Sequence, residues 1–427
     1  MAEPAAAVSE QDFRDILDAT RQFVRSAVVP RELEIMNDNR VPDDIRDQAK
    51  DMGLFGYAIP QEWGGLGLNL VQDVEMAMEL GYTTLAVRSM FGTNNGIAGQ
   101  VLVGFGTDTQ KQRWLEPIAS GECVASFALT ESGAGSNPAG LRTKAVADGD
   151  DWLITGHKRF ITNAPTANLF VVFARTRPAD ADGPGIAVFL VPADAPGVVV
   201  GPKDAKMGQE GAWTSDVTFD DVRVGPDALI GGTEDIGYRA ALTSLARGRV
   251  HIAAVAVGAA QRALDESVAY AATATQGGTA IGEFQLVQAM LADMQTGVMA
   301  GRALVRDAAQ LWVSGADRSA LNSTRMPLSG RIEIALTFNP SLWLVPVHGR
   351  LGFENMHNVL GELAATGADI LIMMNMSGRG GKRMDLELRK AIASTPKAKL
   401  CEVIVPEADA ITRTTDFFKA VWDRSEE

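Results

Sequence analysis

A chain of 427 residues, 46% of them hydrophobic, can bury a large core and divide into two or three domains. Its net charge of −14 disfavours a protein that grips nucleic-acid phosphates, because its field repels them, and any anionic cofactor will need local cations. Cys123 and Cys401 supply no disulfide framework, and the histidines at 157, 251, 348 and 357 show no metal-ligand spacing. MAEPAAAVSEQDF lacks basic residues ahead of an apolar run, so no signal peptide is expected, and no run is long and apolar enough to span a bilayer. A reducing, cytoplasmic setting is the default expectation.

Taken in order, Phe13, Ile16, Leu17, Phe23 and Val24 follow helical spacing, which predicts an amphipathic helix capped by Ser9 and stopped near Pro30. VPDDIRDQAKDMG at 41–53 reads as a second helix with Gly53 at its C-terminal cap, and Val71 to Leu80 as a third. The GGLGL turn lies between them. Asn94, Asn95 and Gly96 mark another turn before a small-residue helix from Ala98 to Phe105, and the region stays helical to about residue 120.

At 124 the period changes to two. VASFALT, DWLITG, NLFVVFART, GIAVFLVP, GVVVG and DVTFDDVRV are separated by Gly, Pro, Asp and Asn, the pattern of a compact antiparallel sheet or small barrel that ends near Gly237. Within it, Gly133, Ala134 and Gly135 allow a backbone to approach a ligand closely, and Thr130, Ser136, Thr162 and Asn163 place polar groups nearby. Either run alone is read as a plain chain reversal. Lys158 and Arg159 are the nearest cations and are expected to cover the sheet with their stems.

After Tyr238 helical spacing returns, through an Ala-rich segment to about Ala274 and a second long helix from Phe284 to Trp312. The tail from Gly378 reads as a basic SGRGGKR loop, a charged helix MDLELRKAIAS, a short strand CEVIV and a final amphipathic helix. The implied fold class is α+β, divided into an N-terminal helical domain (1–123), a central β-sheet or barrel domain (124–237), a C-terminal helical bundle (238–377) and a divergent tail (378–427).

FALTESGAGS at 127–136 followed by WLITGHKRFITNA at 152–164 resembles the paired flavin-binding segments of the acyl-CoA dehydrogenase family. GLFGYAIPQEWGGLGLNL at 53–70, GTDTQKQRWLEPIASGE at 106–122, SDVTFDDVRV at 215–224 and FQLVQAMLADM at 284–294 resemble that family too. The resemblance implies FAD and α,β-dehydrogenation of an acyl-CoA, in which a carboxylate takes the α proton and the flavin takes the β hydrogen as hydride. It also implies an electron-transfer flavoprotein as acceptor and a dimer or tetramer. Phe127, Leu129 and Thr130 match the first flavin-contacting strand, and Phe160, Ile161 and Thr162 the second. Ser136 matches a position that touches both flavin and substrate. Arg249 matches a residue that meets CoA, and Gln285 one that lines the neighbouring subunit's flavin.

Departures from the family's pattern are equally specific. Ser132 and Asn137 replace a proline and an aspartate in the bend. No cation lies between Ala271 and Gly282, where an arginine on the flavin pyrophosphate is expected; losing such a partner costs about 1.5–3 kcal/mol. In VHGRLGF, Arg350 replaces a glycine and Pro346 stands near an expected glutamine; Arg350 is either a substituted pyrophosphate cation or a surface side chain. The family's Tyr-Glu-Gly-Thr, whose Glu is the base, falls where this chain reads DILIMMNMSG, with Asn375 as the nearest polar counterpart. Gly248 occupies the alternative base position, so Glu354, Glu362 and Asp369 remain as displaced candidates, each read first as a helix-surface charge, and the catalytic residue is unassigned. Two other readings follow from the missing Glu: a non-catalytic subunit of a hetero-oligomer, and a flavin monooxygenase on the same scaffold.

Overall fold

The structure is a computed structural model that describes residues 8–179 and 183–315, with the backbone of two short strands at 373–375 and 402–404. Ser9 caps α1 (Glu10–Phe23), its hydroxyl accepting the amide of Asp12. Instead of running on as one helix to Pro30, the chain loosens into a π-helical turn over Val24–Val28 and a 3₁₀ turn over Val29–Arg31. Pro30 accounts for this, since its ring has no N–H to continue the ladder and crowds the carbonyl of the preceding turn. Helix α2 (Glu32–Asp38) then starts afresh. Gly53, at φ +71, turns the chain after α3 (Asp43–Asp51), and Asn69 with Gln72 forms a capping box on α4 (Leu70–Leu80).

Three more helices complete the region: α5 (Leu85–Asn95), α6 (Ile97–Phe105) and α7 (Asp108–Ser120). Asn94 and Asn95 close α5 instead of forming the turn that their local preference predicts. Both are buried and serve as polar pegs. Asn94 donates to the carbonyls of Ile118 (3.0 Å) and Cys123 (2.8 Å) and accepts the amide of Ala125 (2.9 Å). Asn95 donates to the carbonyl of Leu54 (2.7 Å) and accepts the amide of Ala58 (2.8 Å). Long-range satisfaction of otherwise orphaned backbone groups outweighs the local turn preference of asparagine.

The sheet comprises β1 (Ala125–Ala128), β2 (Lys144–Asp148), β3 (Asp151–Thr162), β4 (Leu169–Arg175), β5 (Ile186–Pro192), β6 (Val198–Lys203) and β7 (Thr214–Val224). Its order is β1-β4-β2-β3-β7-β6, with β5 also paired to β4. The pairing is mixed rather than wholly antiparallel, because β1 runs parallel to β4. Strands β4 and β5 are covered on both faces, which explains their unbroken apolar runs. One core lies between Leu102, Leu115 and Ile118 on the helices and Phe127, Val171 and Phe173 on the sheet. The other face of the sheet packs Ile154, Phe170, Phe189 and Phe219 together.

Beyond the sheet, α8 (Gly237–Thr273) leads through a hairpin of β8 (Thr275–Gln276) and β9 (Thr279–Ala280) to α9 (Gln285–Val313). The chain divides into two compact units, one ending at Ala259 and the other starting at Ala260. Within the second, Arg302 Nη2 donates to Gln261 Oε1 (2.9 Å), so α9 runs back along the latter part of α8. The cation-free ATATQGGTA stretch is this hairpin, and Gly277 (φ +61) and Gly278 (φ +86) supply its two-residue turn. Strands β10 (Met373–Asn375) and β11 (Glu402–Ile404) pair in parallel. The other features predicted for the tail lie outside the described residues. Among those described, no helix is long and apolar enough to cross a membrane.

Candidate functional site

Strand β1 runs into a tight bend in which Glu131 and Ala134 exchange two backbone hydrogen bonds of 3.1 Å. The amide of Arg159 donates to the carbonyl of Thr130 (2.9 Å), and the Ser126 hydroxyl to the carbonyl of Thr162 (2.8 Å). Segment 126–130 therefore lies antiparallel beside 159–162. Thr130 and Thr162 stand on neighbouring segments about three residues apart along the strand direction, or ~10 Å, and both are half-buried. At Gly133 and Gly135 an added Cβ would meet no atom within 4 Å, and neither glycine has a positive φ. Neither packing nor backbone conformation calls for glycine there, so the open face fits a group that the backbone must approach closely, as a flat cofactor ring would require.

The matched residues divide by orientation. Phe127 packs on Phe173 with ring centroids 4.7 Å apart, and Leu129 and Ile161 are buried in the unit's own cores, so the side chains of these three are turned inward. Ser136 is exposed at the end of the bend. Phe160 is 58% exposed and sits at φ +58, in a bulge between Lys158 and Ile161. A non-glycine residue there carries strain of about 1–2 kcal/mol, and Asp216 on β7 holds it in place. Asp216 accepts the Phe160 amide (3.3 Å) and lies 3.3 Å from Arg159 Nε and 3.2 Å from His157 Nε2. Burial opposes its charge, but the Phe160 amide, His157 and Arg159 outweigh this and hold the carboxyl below its usual range.

Lys158 overturns its expected role as a surface stem. It is wholly buried, with Nζ 2.8 Å from Glu131 Oε1, and it donates to the carbonyls of Leu129 (3.1 Å) and Phe173 (2.7 Å). Glu131 in turn accepts the amides of Arg142 (2.6 Å) and Thr143 (2.9 Å). Burial pushes the lysine down to about 8, against the pull of Glu131. Burial raises the glutamate, but Lys158 and the Thr143 hydrogen bonds bring it below its ordinary value. The signal was present in the register: Lys158 stands an even number of residues from buried Ile154 on one strand, and so on the inward face.

At the far end of β3, Asn163 donates to the carbonyl of Ser89 (2.8 Å) and to Thr93 Oγ1 (3.1 Å), seating the strand end on α5. Arg249 is exposed on α8, and an added Cβ at Gly248 would lie 3.0 Å from Ile97 Cγ2. Gln285 opens α9 in the second unit and is exposed. Asn375 ends β10; Pro346, Arg350, Glu354, Glu362 and Asp369 lie outside the described residues.

Family models of the acyl-CoA dehydrogenase N-terminal, middle and C-terminal domains match residues 10–122, 126–222 and 235–327. A probable acyl-CoA dehydrogenase, YngJ of Bacillus subtilis, is 35% identical over 297 residues, 69% of this chain and 78% of its own length. The caffeyl-CoA reductase-Etf complex subunit CarC of Acetobacterium woodii is 35% identical over 304 residues, 71% of this chain and 79% of its own. The crystal structure of a glutaryl-CoA dehydrogenase from Mycobacterium smegmatis in complex with FADH2 superposes with a TM-score of 0.67 and 28% identity, covering 83% of this chain and 85% of that one. Three domain models in order along one sequence, and relatives aligned over most of their own length, agree with the bend and its facing strand: the chain belongs to the acyl-CoA dehydrogenase family.

Proposed function

We propose that this chain holds FAD against the bend at 130–136 and the end of β3, and that it removes the α and β hydrogens of an acyl-CoA thioester. The observation that carries the reading is the open face at Gly133 and Gly135, two glycines that the protein's own packing and dihedrals leave unexplained. Family membership supports it, as does the FADH2 held by the M. smegmatis neighbour. When bound, the flavin supplies the hydride acceptor. Thr130, Ser136, Phe160 and Thr162 would hold it by side chain, and Phe127, Leu129 and Ile161 by backbone. Gln285 belongs to the same set through the resemblance, and Arg249 would meet CoA.

These residues bind and orient. Proton removal needs a carboxylate, and neither Gly248 nor the amide of Asn375 provides one. The displaced candidates Glu354, Glu362 and Asp369 lie in the part of the chain from which we expect the base to come. An electron-transfer flavoprotein as acceptor accords with the Etf complex of which CarC is a subunit. A dimer or tetramer, a cytoplasmic setting and division near residues 123, 237 and 377 complete the reading. The missing Glu is the one observation behind a non-catalytic subunit or a monooxygenase, and nothing in the described residues adds to it.

The test uses Gly133→Ala and Gly135→Ala in the full chain. Each should leave the apoprotein's unfolding free energy within about 0.5 kcal/mol, because no atom or dihedral opposes the methyl, yet weaken FAD binding by about tenfold or more. The parent protein should bleach anaerobically on adding an acyl-CoA. Unaltered FAD affinity in both variants, or a parent that takes up no FAD, overturns the proposal.

A further inference from the structure

Four ionisable side chains from three helices meet inside the first unit. Asp73 on α4 is fully buried, with Oδ2 2.7 Å from Arg247 Nη2 and Oδ1 2.9 Å from His251 Nδ1, both on α8. From α5, Arg88 Nε donates to His251 Nε2 at 2.9 Å. Because Nε2 accepts, Nδ1 carries the proton given to Asp73 and the imidazole is neutral. The cluster therefore sums two guanidinium charges against one carboxylate. Among the described residues no carboxylate forms a salt bridge with Arg88; the other polar neighbour, Tyr57, is buried and kept neutral by that burial. An excess cation in such a place is costly unless an anion arrives to match it.

Two details relate this cation to the site. Arg88 is half-buried, so its guanidinium retains an open side, and Gly92 leaves it room: an added Cβ there would lie 2.8 Å from Arg88 Cζ. Ser89 and Thr93, on the same helix, are the residues that receive Asn163, the immediate neighbour of Thr162. Arg88 is thus carried on the helix that seats the end of the ring-bearing strand. We propose that Arg88, backed by Arg247, receives a carboxylate at the far end of the acyl group, so that the favoured substrates are CoA monothioesters of dicarboxylic acids. Asp73 and His251 are positioning residues, which fix the guanidinium by a relay of two hydrogen bonds. The inference rests on the acyl-CoA reading and names the substrate class within it. A neutral acyl tail would leave the excess cation buried without a partner, and that is the physical basis of the selection.

The experiment is anaerobic calorimetric titration of the full-length flavin-loaded protein with paired thioesters: succinyl- against butyryl-CoA, glutaryl- against pentanoyl-CoA, and adipyl- against hexanoyl-CoA. At one length or more the dicarboxylic member should bind at least about tenfold tighter, and Arg88→Gln should bring that ratio to within about threefold. Neutral members binding as tightly at every length overturn the inference, as does a ratio that survives Arg88→Gln. If that variant does not fold, the parent ratios decide alone. Binding of neither kind defeats the acyl-CoA reading itself, whereas equal binding of both defeats only the carboxylate.

Discussion

Lys158 Nζ lies 2.8 Å from Glu131 Oε1 in the interior of the sheet, one partner on β3 and the other in the glycine bend. The same ammonium donates to the carbonyls of Leu129 and Phe173 and so joins three segments at one point. The wall formed by the bend and the end of β3 is fixed by a charge that water does not reach. Its geometry is therefore set before any ligand arrives, which is what the proposed flavin site would require.

Removing one partner should be far more damaging than removing both. Lys158→Met leaves Glu131 buried with two amide donors but no counter-charge, which should cost about 3–5 kcal/mol in denaturant unfolding. Adding Glu131→Gln should recover part of that loss, because a neutral amide still accepts from Arg142 or Thr143. A double variant no more stable than Lys158→Met would contradict this account.

Asp216 acts on the wall from outside. Asp216→Ala withdraws the acceptor from the Phe160 amide and the His157 ring and the counter-charge from Arg159, so a direct hydrogen bond that holds φ +58 at Phe160 is lost. Since Asp216 is partly exposed, apoprotein stability should fall by no more than about 1 kcal/mol. FAD affinity should fall by more, about tenfold, with a changed flavin circular dichroism spectrum. Equal small losses in the apo and FAD-loaded protein would show that Asp216 merely stabilises the sheet.

Much of this could be read from residue order, and what could not has a physical cause. Ser9 and Gly53 are local signals, a side-chain cap and a left-handed stop, and each acts within one turn of where it stands. The strands of the middle region follow from their apolar runs, although β2, with four of its five residues exposed, gave no such signal. Asn94, Asn95 and Lys158 misled because their partners lie between about fifteen and forty residues away, at carbonyls and carboxylates that no local window contains. Phe127, Leu129 and Ile161 belonged to the matched set, but only packing shows that their side chains turn inward.

The pH dependence of stability should carry the mark of His251. Burial lowers its pKa; Asp73 opposes the shift, and Arg88 and Arg247 add to it, so the folded protein keeps the ring neutral. In the unfolded chain the same ring takes up a proton below about 6.5. Between that pH and the lower folded value the unfolded state binds more protons, so stability should fall as pH falls, by up to about 1.4 kcal/mol per pH unit. Lys158, pushed down to about 8, acts in a separate window: stability should rise with pH from there to about 10.4. Unfolding free energies from pH 5 to 7.5 should show the first slope in the parent and not in His251→Gln. The same slope in both would assign it to other groups.

Thr162 offers the narrowest test of the wall itself. Its backbone carbonyl accepts the Ser126 hydroxyl and its residue pairs with Thr214 on β7, so exchanging the side-chain hydroxyl for a methyl leaves both attachments in place. Valine also suits a strand as well as threonine does, so Thr162→Val should change apoprotein stability by less than about 0.5 kcal/mol. Thr162 is half-buried at the end of β3, and in the proposed site its hydroxyl would bond the flavin. Loss of that hydrogen bond should shift the flavin absorbance bands and weaken FAD binding by about three- to tenfold, the worth of one neutral hydrogen bond. An FAD stoichiometry and spectrum identical to the parent's would remove Thr162 from the site while leaving the bend's claim intact. The same result at Thr130→Val as well would mean that the ring lies elsewhere.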